Sequence, residues 1–488
     1  MLSWKKLSYD RKVKLRGYVK IRSMITVPKL FPSERQKLFD HFENRLQTAH
    51  NLNRKSVSFQ ASKAEPVYRW FKYKEGFSSA LVRHYLKEYA PNPGKLLDPF
   101  AGAGTSLFAG KELGWETHGI ELLPVGSFAV RAREALSEIE PRTLQQTTPT
   151  SSASYFNHLK ITKDAFPDSN ESSLNRYLAY CSKIVDENIQ TVLLFAAFTI
   201  LEEISYTRKD GQYLRWDHRS KRTLSGKPFD KGRIYSFEEA IRNKLNQFLE
   251  DTLPAHSLLP FEDSFKSLNG KGRINLVTGT CLEQLPRYES NQYDFVITSP
   301  PYCNRYDYTR TYALELAFLG LDDEAVRKLR QEMLSCTVEN KDKLTQMETL
   351  YSDAGQPQSF RTILTVYEQS DAMSEVNIIL EKLKNLDLLN NKNIARMVKN
   401  YFLEMCFVIY ELTRVTKPGG YCVMVNDNVR YGGEEIPADL ILSGFAQTFG
   451  YSIEKIFVLP RGKGNSSQQM GSFGRTETRK CVYLWRKK

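Results

Sequence analysis

A strand, a glycine-rich turn, a helix and a second strand follow one another within residues 95–122, and this unit constrains the fold more than any other feature of the chain. The apolar segment KLLDPF (95–100) has the pattern of a buried strand and leads into the tight turn AGAGT (101–105). SLFAGKELG (106–114) has the pattern of a helix closed by glycine, and WETHGIEL (115–122) is the next predicted strand. Connections this short are typical of β-α-β units in a doubly wound parallel sheet.

The same alternation of strands and helices resumes after residue 270 and completes the sheet. The predicted strands are INLVTG (274–279), YDFVIT (293–298), YCVMVN (421–426), YSIEKIFVLP (451–460) and KCVYLW (480–485). The predicted helices lie around 174–205, 237–252, 397–414 and 436–448. We therefore predict an α/β, Rossmann-like doubly wound fold, with a mostly parallel sheet, an antiparallel final hairpin strand and mainly helical insertions.

Charge and composition narrow the class of protein. The net charge of +13 favours a polyanionic partner, and nucleic acid is the first candidate. Residues 1–60 carry fourteen Lys or Arg against four Asp or Glu, which fits a phosphate-contacting arm or a solvated tail. The longest apolar run, 191–204, is shorter than the roughly 20 residues that span a bilayer. Seven scattered cysteines form no CxxC pair, so we expect no disulfide framework, no metal site and a reducing cytoplasmic location.

The glycine turn has the composition of a ligand-binding loop. Gly102 and Gly104 lack Cβ atoms, so the backbone there can adopt positive φ and approach a ligand closely. The helix that follows offers free N–H groups. The pattern matches neither GxGxxG nor a P-loop, which disfavours nucleoside triphosphate chemistry. Glu121, at the end of the next strand, is either an acceptor for a ribose diol or a surface acid.

The tetrapeptide Ser299, Pro300, Pro301 and Tyr302 follows the strand YDFVIT and is the second informative motif. Proline has no N–H to offer a sheet ladder, so the chain leaves the sheet here in a stiff, fixed direction. By itself, the tetrapeptide fits either a proline-rich turn or a site that holds polar acceptors in place.

With DPFAGAGT (98–105) and TSPPY (298–302) in this order, the chain resembles the amino-group DNA methyltransferases. These enzymes use S-adenosyl-L-methionine to methylate N4 of cytosine or N6 of adenine. FKYKEGFSSALVRHYL resembles the cofactor-side segment of the family, and the resemblance covers roughly residues 66–125 and 274–310, with a tail at 400–488. The cofactor-binding residues that it implies are Asp98, Pro99, Phe100, Ala101, Gly102, Gly104, Thr105 and Glu121.

The resemblance also implies roles for the SPPY residues. An exocyclic amine is a poor nucleophile because its lone pair is conjugated with the ring. Ser299 and the Pro300 carbonyl match the acceptors that take the amine hydrogens, and Pro300 and Pro301 hold them by fixing φ. Tyr302 matches the residue that stacks on a flipped base. Cys303 does not match the Pro-Cys nucleophile of cytosine-C5 methyltransferases, because Tyr302 separates it from Pro301.

Several alternatives stay open at this point. Serine in the first catalytic position favours cytosine N4 over adenine N6, since Asp or Asn is commoner in the adenine enzymes. An RNA methyltransferase and a DNA-binding protein with an inactive methyltransferase fold are the other candidates. Thr280 and Cys281 stand where the family often has an acid for the cofactor adenine, and Glu283 lies slightly beyond. The expected partners are double-stranded DNA and a separate cognate restriction endonuclease in a prokaryotic cytoplasm, with no membrane and no metal.

On this basis the chain divides into six predicted parts. They are a basic N-terminal arm (1–65), three parts of a catalytic core (66–129, 271–319 and 397–488), a target-recognition insertion (130–270) and a helical insertion (320–396). The residues of the first insertion predicted to contact DNA are Arg208, Lys209, Tyr213, Arg215, Trp216 and Arg219. The polar loop 461–480 is predicted to lie near the DNA as well.

Overall fold

The computed structural model describes residues 33–49, 52–145, 155–210, 213–222, 228–252, 271–460 and 477–488. The α-helices in these ranges are α1 (Glu34–Phe42), α2 (Ser79–Tyr89), α3 (Thr105–Glu112), α4 (Pro124–Ser137), α5 (Asp168–Cys181), α6 (Glu187–Ile204), α7 (Phe237–Thr252), α8 (Cys281–Gln284), α9 (Tyr308–Thr311), α10 (Ala313–Phe318), α11 (Asp323–Glu332), α12 (Leu344–Asp353), α13 (Pro357–Glu368), α14 (Asp371–Asn385), α15 (Ile394–Val415) and α16 (Ala438–Phe449).

Short 3₁₀-helices add to these elements at Glu43–Arg45, Ser62–Ala64, Tyr68–Trp70, Pro141–Gln145 and Leu285–Arg287. The strands are β1 (Leu46–Thr48), β2 (Lys95–Asp98), β3 (Glu116–Glu121), β4 (Thr207–Asp210), β5 (Tyr213–Trp216), β6 (Arg273–Thr278), β7 (Tyr293–Thr298), β8 (Thr416–Asp427), β9 (Val429–Tyr431), β10 (Glu434–Ile436), β11 (Tyr451–Val458) and β12 (Lys480–Lys487).

One eight-stranded sheet forms the centre of the described structure, in the order β1-β11-β12-β8-β7-β2-β3-β6. Strand β12 runs antiparallel to both of its neighbours, and the other neighbouring strands pair in parallel. The prediction of a mostly parallel, doubly wound sheet with an antiparallel final hairpin strand is therefore confirmed. The short edge strand β1, which pairs with β11, was not among the predicted strands.

The order of the strands reverses between β2 and β7. From β2 the chain continues to β3 and β6 on one side, whereas β7 continues to β8 on the other side. Ligands of open α/β sheets bind in the crevice beyond the carboxyl ends of the strands at such a reversal. The glycine turn follows β2 and the SPPY tetrapeptide follows β7, so the topology brings both motifs to this crevice.

Helices cover both faces of the sheet, because successive residues of a strand point to opposite faces. Leu96 of β2 packs in the cluster that contains Leu81 and Val82 of α2. Its neighbour Leu97 packs on the other face, in the cluster that contains much of α15. The central strand β7 shows the result most clearly, since Phe295, Val296 and Ile297 form the continuous apolar run that is typical of parallel strands buried on both faces.

Two sets of helices interrupt the sheet. The first, α5–α7 with the β4-β5 hairpin, lies between β3 and β6, and the second, α11–α14, lies between β7 and β8. The apolar run 191–204 belongs to the buried helix α6. In the described ranges, no helix combines the length and the apolar character needed to cross a membrane.

The basic segment 206–223, for which we predicted no strands, folds in part into an antiparallel hairpin of β4 and β5. Lys209 of β4 points inward: its side chain is almost fully buried and its ammonium forms an ion pair with the equally buried Glu315 of α10. The same ammonium lies 4.7 Å from the centroid of the Tyr312 ring. These contacts fix the hairpin to the helices that follow the SPPY tetrapeptide.

Candidate active site

A single buried carboxyl group joins the two predicted motifs. Asp98 ends β2 and is 1% exposed. Its Oδ1 accepts a hydrogen bond from Thr298 Oγ1 at 2.7 Å, and Thr298 directly precedes the SPPY tetrapeptide. Its Oδ2 accepts one from Ser106 Oγ of α3 at 2.5 Å, and the Phe100 N–H donates to Oδ1 at 3.0 Å. The ends of β2 and β7 and the first turn of α3 are therefore held in one arrangement.

The pKa of the Asp98 carboxyl is raised to about 6, because burial penalises its charged form. The hydrogen bonds from Ser106, Thr298 and the Phe100 N–H oppose this shift, since they stabilise the carboxylate. A carboxyl with this balance changes its charge within the range in which enzymes work.

The two glycines of the turn adopt the positive φ expected for them, at 53° for Gly102 and 79° for Gly104. A Cβ atom on Gly102 would lie 2.9 Å from the ring of Tyr73, and one on Gly104 would lie 2.6 Å from a methyl group of Val130. The turn therefore needs glycine both for its backbone conformation and for its packing against neighbouring side chains.

Glu121 fixes the other side of the turn. Its carboxylate accepts hydrogen bonds from the N–H groups of Gly102 and Leu123, each at 2.6 Å. Burial raises its pKa to about 7, while these backbone bonds act in the opposite direction. Both oxygens are thus already in use by the backbone, although a carboxylate oxygen can accept a second hydrogen bond. Contact with a ribose diol stays a prediction.

The SPPY residues stand across the crevice from the glycine turn. Ser299 and Pro301 line the cleft, while Pro300 is buried. Tyr302 is partly buried, and the Lys480 ammonium lies 5.5 Å from the centroid of its ring. The Cys303 thiol is buried, which raises its pKa well above the ordinary value and disfavours the reactive thiolate. Cys303 belongs to a hydrophobic core cluster, in agreement with its mismatch to the Pro-Cys nucleophile.

Most of the predicted cofactor residues share this cleft. Those that line it are Asp98, Pro99, Phe100, Ala101, Gly102, Thr105 and Glu121. Gly104 lies behind them as the residue that precedes α3. Tyr73 and Glu75, from the segment that resembles the cofactor side of the family, also line the cleft, as do Thr280 and Cys281.

Other lining residues were missed by reasoning from the sequence. Phe59 and Ser62 come from the part of the chain assigned to the basic arm, and Arg133 comes from the third turn of α4. Met333 and Leu334 come from the second helical insertion, so this insertion contributes a wall of the cleft. No motif distinguishes these five residues in the sequence, because they reach the cleft only through tertiary packing.

The predicted DNA-contacting residues of the hairpin differ in their surroundings. The prediction for Lys209 does not fit this structure, because its ammonium is buried against Glu315. Arg215 pairs with Asp210 at 3.0 Å, but both side chains are more than two-fifths exposed. Arg208 is exposed.

Two further members of the predicted set are engaged with neighbouring side chains. Arg219 donates two hydrogen bonds to the Asp217 carboxylate, at 2.7 and 2.9 Å. The Arg222 guanidinium lies 3.9 Å from the centroid of the Trp216 ring. Tyr213 belongs to β5. The predicted DNA contacts of residues 1–32 and 461–476 lie outside the described residues.

Comparison with known proteins gives a consistent result over nearly the whole chain. The chain is 45% identical over 463 residues to the type II methyltransferase M.AvaI of Nostoc sp. (strain PCC 7120 / SAG 25.82 / UTEX 2576), with 92% of each chain covered. M.AvaI of Anabaena variabilis gives the same values. The type II methyltransferase M.BsoBI of Geobacillus stearothermophilus is 40% identical over 481 residues, with 93% of this chain and 92% of that protein covered. No family model matches.

The raised pKa of Asp98 predicts a pH-dependent effect of Asp98→Asn on stability. Because the folded state favours the neutral acid, the contribution of Asp98 to stability is fully present below about pH 4 and is lost as pH rises through about 6. Asparagine does not titrate. The free energy of unfolding of the variant, relative to wild type, should therefore rise by roughly 3 kcal/mol between about pH 4 and pH 7. Urea denaturation at each pH measures it, and a constant difference would contradict the assignment.

Proposed function

The chain belongs to the type II methyltransferases, and from this premise we propose that it transfers a methyl group from S-adenosyl-L-methionine to N4 of cytosine in duplex DNA. The similarity to type II methyltransferases supports the more general assignment of the chain as a DNA methyltransferase of a restriction-modification system. The observation that carries the proposal is the meeting of the glycine turn and the SPPY tetrapeptide across one cleft, joined through Asp98 and Thr298.

The cleft fits the cofactor that the family implies. Gly102 lines the cleft with backbone atoms alone, because its positive φ and the nearby Tyr73 ring leave no room for a Cβ atom. Two buried polar groups on its wall, the Arg133 Nε and the Ser62 hydroxyl, have no hydrogen-bond partner in the described structure. A cleft with open backbone and unsatisfied polar groups is suited to a small polar ligand.

Ser299 and the Pro300 carbonyl would orient the target amine. When bound, S-adenosyl-L-methionine supplies a methyl group on a positively charged sulfur, which is a good leaving group. The serine hydroxyl and the proline carbonyl would each accept a hydrogen bond from one N–H of the target amine. These two hydrogen bonds would turn the nitrogen lone pair out of conjugation with the ring. Because Pro300 and Pro301 fix the backbone, the acceptors need no ordering during the reaction. Positioning and electrostatics therefore carry most of the rate.

Tyr302 would hold the flipped base in place by stacking. Its ring is partly buried, and the Lys480 ammonium near it is itself paired with Asp427 at 3.4 Å. The buried Cys303 takes no part in this mechanism, since methylation of an exocyclic amine needs no covalent bond to the ring. After transfer, the methylated amine loses its extra proton to solvent.

The choice of cytosine rests on Ser299, because enzymes that resemble this one more often have Asp or Asn in this position when they act on adenine. Adenine N6 is the alternative acceptor, since the same pair of oxygen atoms would fit its amine. RNA methylation has less support, because the relatives that cover most of the chain are type II methyltransferases. An inactive fold has less support, because both motifs are intact and share one cleft. The proposed partners are double-stranded DNA and a separate cognate restriction endonuclease, in the cytoplasm of a bacterium.

The hairpin of the first insertion is the proposed DNA-contacting surface among the described residues. Arg208 is its strongest candidate, because it is exposed and no ion pair involving it is found within the described ranges. Arg215, Trp216 and Arg219 are secondary candidates, since their side chains already interact with neighbouring residues. Lys209 is not a candidate, because it is buried against Glu315. Tyr213 stays in the proposal only through its position in β5.

Arg208→Ala tests this surface. If the guanidinium contacts a phosphate, the variant should bind duplex DNA more weakly, and the slope of log K against log salt should fall by about one. Arg361→Ala is the matched control, because it removes the same charge from an exposed position on α13. Fluorescence anisotropy at several salt concentrations measures both slopes. Equal slopes for wild type and Arg208→Ala would exclude this contact.

Three variants of the SPPY region test the chemistry in single-turnover methylation of duplex DNA. Tyr302→Ala should lower the rate about tenfold to hundredfold, because base stacking is worth roughly 1–3 kcal/mol. Ser299→Ala should slow methyl transfer while leaving cofactor and DNA affinity near wild type, since one of two acceptors is lost. Cys303→Ser is the matched control and should keep most of the activity.

The same experiment separates the competing mechanisms. A folded, cofactor-bound Cys303→Ser protein without activity would exclude amine methylation, because that reaction needs no thiol. If both Ser299→Ala and Tyr302→Ala transfer methyl groups at the wild-type rate, the SPPY tetrapeptide is a structural turn without a catalytic role.

A further inference from the structure

Arg133 is a buried cation on the wall of the cleft. It belongs to α4, the helix that follows Glu121, and its residue exposure is only 2%. Its side chain lines the same cleft as the glycine turn and the SPPY residues. An arginine this deeply buried is normally paired with a carboxylate, because the desolvation of an unpaired charge is costly.

Arg133 has no such partner in the described part of the chain. Its Nη1 donates a hydrogen bond to the Ala103 carbonyl of the glycine turn, and its guanidinium carbon lies 5.6 Å from the centroid of the Phe108 ring. Its Nε is buried without a hydrogen-bond partner, and no described carboxylate forms an ion pair with it. Burial lowers its pKa to about 10, so the group still carries its charge at neutral pH.

A second unsatisfied group lines the same cleft. The Ser62 hydroxyl is buried, with a residue exposure of 2%, and it has no hydrogen-bond partner among the described residues. Ser62 and Arg133 both line the cleft, together with the aromatic residues Phe59 and Tyr68. Arg133 offers a charged donor and Ser62 a hydroxyl, and the Arg133 Nε and the Ser62 hydroxyl still lack hydrogen-bond partners within the described part of the structure. Two such donors that line one cleft can bind a small anionic group such as a carboxylate.

We propose that Arg133, assisted by Ser62, binds the carboxylate of the methionine part of S-adenosyl-L-methionine. This inference rests on the proposed function, which supplies the cofactor. The carboxylate is the only anionic group of that cofactor, whereas its ammonium and sulfonium groups are cationic and would be repelled by the guanidinium. Arg133 therefore determines the orientation of the cofactor: it admits the amino-acid end only with the carboxylate toward α4.

The Ala103 hydrogen bond suggests how this contact acts on the glycine turn. The Arg133 guanidinium donates a hydrogen bond to the Ala103 carbonyl of the glycine turn. A cofactor carboxylate bound to the same guanidinium would therefore hold Arg133 in place and, through it, the glycine turn. A purely structural Arg133 would hold Ala103 in the same way but would not distinguish ligands with and without a carboxylate. Discrimination between such ligands is therefore the property to measure.

The test compares S-adenosyl-L-methionine with its decarboxylated analogue by isothermal titration calorimetry. Wild type should bind the intact cofactor at least about tenfold more tightly, because a charge-assisted hydrogen bond is lost with the carboxylate. Arg133→Met should bind both ligands with similar affinity, and Arg133→Lys should keep part of the preference. Arg131→Met is the matched control, since Arg131 is exposed on the same helix, and it should keep the wild-type ratio.

Each outcome decides between the proposals. Equal affinities of wild type for the two ligands would overturn the role of Arg133, as would a ratio unchanged in Arg133→Met. If Arg133→Met does not fold, the wild-type ratio and the Arg133→Lys ratio decide in its place. If wild type binds neither ligand, the cofactor assignment itself fails, and this result is distinct from a failure of the Arg133 proposal alone.

Discussion

The hydrogen bond between Thr298 and Asp98 is the contact on which the rest of the site depends. It joins the carboxyl ends of β2 and β7, the two strands between which the order of the sheet reverses. The same carboxyl holds Ser106, so the orientation of α3 is set by the group that sets the start of the SPPY segment. A change at this carboxyl would therefore move both sides of the cleft together. Because burial raises its pKa to about 6, the charge of this carboxyl also changes near neutral pH.

A second carboxylate completes this frame from the side of β3. Glu121 holds the Gly102 N–H, and Arg133 holds the carbonyl of the next residue, Ala103. The backbone of the glycine turn is thus held between the Glu121 carboxylate and the Arg133 guanidinium, which belong to different elements. Met333 and Leu334 of the second insertion form part of the cleft wall. The first insertion packs behind the wall, because the Lys209 ammonium lies 5.2 Å from the centroid of the cleft-lining Phe71 ring.

Reasoning from the sequence predicted the elements that depend on local pattern. The strand before the glycine turn, the positive φ of Gly102 and the exit of the chain at Pro300 all follow from residues close together in sequence. Contacts over long separations were missed. Strand β1 pairs with β11 across some 410 residues of chain, and three residues with no clear alternation give no indication of it. Arg208 and Lys209 are equally basic neighbours, yet the alternation of the strand turns one to solvent and the other toward Glu315. Composition cannot distinguish a paired cation from a free one, and the same reason concealed Arg133.

The identity of the methylated base is the most direct measure of the central claim. Mixed-sequence duplex DNA is incubated with the protein and S-adenosyl-L-methionine, digested to nucleosides and analysed by mass spectrometry. The serine in the first catalytic position, Ser299, predicts N4-methylcytosine as the only methylated product. N6-methyladenine would contradict the cytosine assignment but would leave the mechanism of amine methylation in place. If the protein is folded and binds the cofactor but the DNA contains no methylated nucleoside, the proposed activity itself is contradicted.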